Sequence, residues 1–247
     1  MAGFTLEAWT ALAPSLETKE DWTKWLSENT DIAEHQLKVN LKHVPMMLRR
    51  RFNTLGKCAM GAIHQLGLED PNIPCVFASQ HGDTKLTLSL LEGIGKHEDM
   101  SPTGFSLAVH NAVSGLFSII HHNNREITAI AAMQGLIASA LFEAIGQLQV
   151  SEKVLCIVYD MPLPSLYQPF SQSSEFPYAL ALVLSRDNEN SLSLTYQKEG
   201  EAGQHLHSNP KSELQGFLAF LLDQSDGYQC RLNGSTWALQ KTVNHAG

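Results

Sequence analysis

Cationic side chains are scarce in this chain of 247 residues: seventeen Lys and Arg stand against twenty-five Asp and Glu, a formal charge of −8. A phosphate backbone would meet repulsion, so nucleic acid is not an expected partner. No window approaches the roughly 18 consecutive apolar residues of a membrane span. The start, Met1-Ala2-Gly3-Phe4-Thr5-Leu6-Glu7, has neither the basic region nor the apolar run of a secretory signal. A cytoplasmic protein with no membrane partner is expected. Cysteine is sparse too. Cys58, Cys75, Cys156 and Cys230 lie far apart without CxxC spacing, which favours neither a disulfide framework nor a zinc site. Cys75 and Cys156 stand in apolar runs, where a thiol behaves as a small hydrophobe. No GxGxxG follows a strand pattern and no GxxxxGK[ST] occurs, so nucleotide binding has no local support and no cofactor is expected.

What the chain does have is apolar material, 43% of its residues, enough for one sizeable core or two small ones. Residues 1–44 carry Trp9, Trp22 and Trp25 among polar residues and read as short helices or loops covering a body formed by residues 45–247, all in one domain. Leu48, Phe52, Leu55, Cys58, Ala59 and Ile63 recur at helical spacing and predict a helix from Pro45 to Leu66. Pro74 to Ser79 reads as a strand buried on both faces, with Asp83 or Thr84 capping a helix through Leu91. Phe105 to Ile120 is apolar at most positions and is expected to be buried nearly all round.

A strand from Ile127 to Ala132, a helix from Gly135 to Leu148 and a strand from Lys153 to Tyr159 follow, an order that implies a right-handed parallel crossover. Tyr178 to Leu184 and Ser191 to Gln197 read as a hairpin around the turn Arg186 to Asn190. Ser212 caps a helix through Leu222, and strands at Tyr228 to Leu232 and Ser235 to Lys241 close the chain.

Chemistry is thinly marked. His121 and His122 are adjacent and have no third ligand at useful spacing, so they read as a polar turn, and His205 and His207 lie in a loop without partners. No metal site is expected. Ser79-Gln80-His81-Gly82-Asp83 gathers serine, histidine and aspartate, yet a triad is assembled by the fold and not by adjacency, and a strand end with a turn explains the run.

One region goes further. Ser101-Pro102-Thr103-Gly104, then His110-Asn111-Ala112-Val113-Ser114-Gly115, then Ile127-Thr128-Ala129-Ile130-Ala131-Ala132 and a small-residue helix, resembles in order and spacing the N-terminal half of β-ketoacyl synthases of the thiolase superfamily. Together with the Arg49-Arg50-Arg51 run, the Ser79 to Asp83 turn and Val158-Tyr159-Asp160, it is similar to a short ketosynthase-like subfamily found beside bacterial polyketide and aryl polyene synthases. The resemblance implies an α/β thiolase-like half: a mixed, mainly parallel five-stranded sheet with helices on both faces. The strand Ile127 to Ala132 would lie at its edge and the helix after it would be buried.

In that family the strand ends in a nucleophilic cysteine at a helix N-terminus. A gapless count puts that position on Gln134, and a slip of one or two puts it on Met133 or Ala132; none is cysteine. Glutamine cannot hold an acyl thioester, the intermediate that a Claisen condensation needs. The family's two catalytic histidines belong to the C-terminal half of a longer chain, and after Gln134 this sequence has only His205, His207 and His245.

The resemblance therefore implies a catalytically silent chain length factor. Such a subunit forms a heterodimer with a full-length ketosynthase and shapes its acyl tunnel, with acyl carrier protein as a transient partner. On that reading Phe105, Val109, His110, Asn111, Ala112, Val113, Ser114, Leu116 and Phe117 line the tunnel, and Ile127, Ala129, Ile130 and Met133 carry the interface, with Gln134 turned inward. Two alternatives stay open: a malonyl decarboxylase using Gln134 and a histidine such as His110, and a free-standing acyl-binding protein.

Overall fold

The computed structural model describes residues 2–28, 32, 37–186, 192–197, 212–232 and 235–241. His205, His207, His245 and the turn residues 187–190 lie outside the described residues. Strands are β1 (Ala2–Leu12), β2 (Cys75–Ala78), β3 (Ile127–Ile130), β4 (Lys153–Asp160), β5 (Tyr178–Arg186), β6 (Leu192–Gln197), β7 (Gly227–Leu232) and β8 (Ser235–Lys241). Helices are α1 (Lys19–Glu28), α2 (Met46–Arg49), α3 (Thr54–Gln65), α4 (Thr84–Gly95), α5 (Pro102–Leu107), α6 (Ala112–His121), α7 (Leu136–Gln147) and α8 (Glu213–Leu221). None of the described helices is long and apolar enough to cross a membrane.

The strands form one sheet in the order β3-β2-β4-β5-β1-β6-β8-β7. Helices α1, α7 and α8 build the core on one face and α3 and α6 build it on the other. Covering on both sides explains why β2 is buried along its whole length and β4 and β5 at every residue but one: no position of such a strand faces water. The mixed sheet with helices on both faces is as expected, with two corrections. It has eight strands instead of five, and only β2–β3 and β2–β4 are parallel, the other five pairings being antiparallel.

β1 accounts for one of the added strands and two of the antiparallel pairings. Residues 2–12 were expected as loop or short helix, yet they form a strand in the middle of the sheet, paired with β5 on one side and β6 on the other. The expected hairpin of β5 and β6 is thereby split, because β1 takes the edge each would offer the other. A register shift between Leu6 and Ala8 hides the strand from a period-2 reading. Phe4 and Leu6 face one core, and after the irregularity Trp9, Ala11 and Ala13 face that same core, so the apolar phase moves from even to odd residues. Trp22 on α1 then locks the end of β1 by donating its indole N–H to the Ala11 carbonyl at 2.9 Å.

Two long helical patterns are each divided. The predicted helix from Pro45 to Leu66 is α2 and α3, because Asn53 caps α3 by accepting the Gly56 N–H at 3.1 Å. Phe105 to Ile120 divides between α5 and α6, and its expected burial holds only in part. Leu116 and Phe117 are in the core, whereas Phe105, Val109 and Ile119 are exposed.

Below the sheet, the His121 ring lies 4.7 Å from Phe117, and its Nε2 is buried without a hydrogen-bond partner. Burial first, then the nearby His43, His122 and His64, holds the His121 pKa below the ordinary histidine value. A histidine with a depressed folded pKa is protonated preferentially in the unfolded chain. Its contribution to stability is therefore complete above the unfolded pKa and is lost as pH falls through it towards the folded value. We expect chemical denaturation of His121→Phe to show less acid destabilisation than the wild-type chain between about pH 7.5 and 5.5. The difference between the two chains cancels the opposing contribution of buried carboxylates. Parallel pH profiles for the two chains would show that His121 does not titrate on unfolding.

Candidate functional site

The parallel strands β2, β3 and β4 end side by side, the place where open α/β sheets gather their polar residues. Asp160, the last residue of β4, is buried there and accepts the Ser79 hydroxyl at 2.9 Å and the Gln80 backbone N–H at 2.9 Å. Burial pushes its carboxyl up, and the hydrogen bonds from Gln80 and Ser79 oppose that. Ser79 in turn accepts the Gly82 N–H at 2.8 Å, and Asp83 caps α4 by accepting the Leu86 N–H at 2.9 Å. The Ser79 to Asp83 run is thus a strand end and a cap, as its sequence reading had it.

The turn after β3 is held from two sides. His110 donates Nε2–H to the Ile130 carbonyl at 2.8 Å, and Gln80 donates its side-chain amide to the Met133 carbonyl at 3.0 Å. His110 can approach because residue 82 is glycine: Gly82 has φ of +62°, and a Cβ there would sit 3.0 Å from His110 Nδ1. Gly135, also left-handed at φ of +62°, then opens α7.

A helix begun this way presents free amide N–H groups and the positive end of its dipole, the feature that lowers a thiol's pKa where a cysteine stands. Here the chain fills that end itself. The Glu213 carboxylate, from α8, accepts the N–H groups of Leu136 at 3.0 Å and Ile137 at 2.9 Å and the Tyr228 hydroxyl at 2.9 Å. Burial pushes the Glu213 carboxyl up, and the Tyr228 hydroxyl and the α7 amides counter it.

Gln134 sits in the turn before this helix and is exposed, a correction to the inward position expected of it. Met133 beside it is also exposed, and Ala132 is half-buried. The thiols on the parallel strands offer no substitute. Burial pushes Cys75 and Cys156 up to about 12, so neither is a thiolate near neutral pH.

The residues expected to line a tunnel fall into two groups. Phe105, Val109 and Asn111 are exposed, and His110, Ala112 and Val113 are half-buried. Ser114, Leu116 and Phe117 are buried: Ser114 donates to the Asn111 carbonyl at 2.9 Å, and Phe117 packs on Phe77 at 5.4 Å. Ile127, Ala129 and Ile130 are half-buried along β3, which ends the described sheet and pairs on one side alone. Of these residues, His110 and Ile130 are in direct contact.

Sequence reasoning missed Gln80 and Glu213, whose partners are distant in the chain and leave no local pattern. It also missed that Leu91, Ile94 and Met100 on and after α4 are exposed together with Phe105, Val109 and Met133. For α4 there was a signal. Leu86, Leu88, Leu90, Leu91 and Ile94 crowd one short helix with more apolar residues than a single buried face takes.

Residues 22–240 match the profile described as β-ketoacyl synthase, N-terminal domain. No curated protein matches the chain. Among solved structures, the ketosynthase ApeO in complex with its chain length factor ApeC from Xenorhabdus doucetiae aligns at a TM-score of 0.78 and 22% identity, over 97% of this chain and 99% of that chain. The ishigamide ketosynthase/chain length factor aligns at 0.62 and 11% identity, over 80% of this chain and 67% of that chain. A β-ketoacyl synthase from Burkholderia phymatum STM815 aligns at 0.61 and 10% identity, over 92% of this chain and 71% of that chain. These likenesses establish a thiolase-like α/β fold.

Removing the carboxylate at position 213 tests the junction at α7. Glu213→Ala leaves two helix amides and the Tyr228 hydroxyl without their acceptor, and we expect a loss of about 2–4 kcal/mol in urea denaturation. Glu213→Gln, which keeps one acceptor oxygen, should lose less. Gln134→Ala, at an exposed turn, should change stability by under about 0.5 kcal/mol. Equal effects of Glu213→Ala and Gln134→Ala would contradict the assignment of the cap.

Proposed function

The chain belongs to the β-ketoacyl synthase N-terminal domain family, and from that premise we propose that it is a chain length factor, a subunit without condensing activity that pairs with a full-length ketosynthase and shapes the tunnel for its acyl chain. The observation that carries this reading is the state of the nucleophile position. On this reading Gln134 takes the place of the thiolate that would form the acyl thioester, which the Glu213 carboxylate supports by accepting the first amides of α7, groups that would otherwise stabilise negative charge there. A carboxylate in that place repels a second anion.

The surface supports a partner. β3 ends the described sheet with three apolar residues of four, and an unpaired edge of that kind tends to be covered. Leu91, Ile94, Met100, Phe105, Val109 and Met133 are each more than two-fifths exposed and would offer a partner apolar surface. On this proposal β3 pairs antiparallel with its counterpart in the ketosynthase, with Ile127, Ala129 and Ile130 in the ladder and Met133 beside it. Phe105, Val109, His110, Asn111, Ala112 and Val113 then face the partner's acyl tunnel. Ser114, Leu116 and Phe117 set the position of α6 from the core. Acyl carrier protein brings the growing chain and leaves with it. The pathway would be polyketide, aryl polyene or fatty acid-like synthesis, in keeping with the solved complexes of ketosynthases and chain length factors that share the fold.

Ile130→Lys introduces a charge into the ladder and should abolish co-purification with a co-expressed ketosynthase while the single chain stays folded and soluble. Ala112→Phe should leave the pair assembled and shorten its product. A pair that forms with Ile130→Lys, or a product length indifferent to Ala112→Phe, contradicts this function. Carbon dioxide release from malonyl carrier protein by the chain alone, lost in Gln134→Ala, would establish the decarboxylase instead. A monomer that retains acyl ligand would establish an acyl-binding protein.

A further inference from the structure

The Arg49-Arg50-Arg51 run has no part in the site described above, and it borders a cavity of about 630 Å³ lined by Lys38, Lys42, Arg49, Arg50 and Lys57 together with Leu37, Val39 and Leu41. Five of the chain's seventeen cationic residues meet there in a protein of charge −8, and Asn40 is the remaining lining residue, so among the described residues no carboxylate lines the cavity. The ion pairs between described residues, Lys24–Glu28, Lys153–Glu7 and Lys241–Asp223, use none of the five. Like charges held together without a counter-charge repel one another, and a bound anion relieves that repulsion.

The walls are preformed. Val39 seats the loop on α3 at Gly61, where a Cβ would come within 2.6 Å of Val39 Cγ1. Leu41 and Val44 are buried, and the Asn40 side chain accepts the Lys42 N–H at 3.1 Å. Arg49 and Arg50 come from α2 and the residue after it, and Lys57 from the first turn of α3, so three separate segments aim their cations at one space. Guanidinium forks match phosphate oxygens two at a time, and lysines add point charge. Leu37, Val39 and Leu41 give the same cavity, which is open to solvent, an apolar side.

We propose that this cavity binds an organic phosphate, a small molecule whose multiply charged phosphate head is held by Arg49, Arg50, Lys38, Lys42 and Lys57 and whose apolar portion lies on Leu37, Val39 and Leu41. The proposal does not depend on the chain length reading, since none of its residues belongs to the surface assigned to the ketosynthase.

The test is calorimetric titration of the full chain with inorganic phosphate, pyrophosphate and hexyl phosphate, and with poly-L-glutamate as a surrogate for an acidic protein. Pyrophosphate and hexyl phosphate should each bind more tightly than inorganic phosphate, the first through charge and the second through the apolar wall. Arg50→Gln/Lys57→Gln, at two exposed side chains, should weaken both by roughly tenfold or more. Lys96→Gln/Arg125→Gln, an equal change of charge elsewhere, should leave both unchanged. Equal weakening by the two double variants would reduce the effect to net charge and overturn the proposal. So would hexyl phosphate no tighter than inorganic phosphate, or binding of poly-L-glutamate without binding of pyrophosphate.

Discussion

A sheet apolar on both faces leaves its polar groups only one place to go, the ends of its strands. There they are buried under helices and must find partners within the chain, because an unsatisfied buried donor or acceptor is more costly than a typical hydrogen bond is favourable. This constraint organises the molecule. Asp160 takes the Ser79 hydroxyl and the Gln80 amide, His110 takes the Ile130 carbonyl, Gln80 takes the Met133 carbonyl, and Glu213 takes the first amides of α7. At these strand ends Asp160, His110, Gln80 and Glu213 each have partners within the chain.

These contacts bear on the proposed non-catalytic role. A nucleophile position needs a thiol, a helix end free to lower its pKa, and room for a developing oxyanion. On the proposed reading Gln134 replaces the first, and Glu213 accepts the amides of the second. Because the Glu213 cap joins α7 to α8 and, through Tyr228, to β7, it also contributes to structure.

Elements set by local pattern were legible in the sequence. The buried strand at Pro74 to Ser79, the strand and helix from Ile127 to Leu148, the strand from Lys153 and the Ser212 cap all fall where spacing and capping residues put them. What escaped was set by distant contact or by broken phase. β1 was hidden because its bulge moves the apolar face from even to odd residues, and the β5–β6 hairpin was wrongly inferred because nothing local says that the N-terminal strand lies between them. In the candidate site, the resemblance located the turn at Gln134 and the edge strand. It could not supply Glu213, seventy-nine residues further along the chain (213 − 134), or the outward exposure of Gln134, which follows from how the turn is held by Gln80 and His110.

The central claim is that the free side of β3 is completed by a ketosynthase, and amide hydrogen exchange reads that side directly. The backbone N–H groups of residues 127–130 that point away from β2 should exchange quickly in the single chain and become protected by at least about a hundredfold in the complex, as ladder hydrogen bonds form. Protection confined to other surfaces, with β3 exchanging as fast in the complex as alone, would contradict the account.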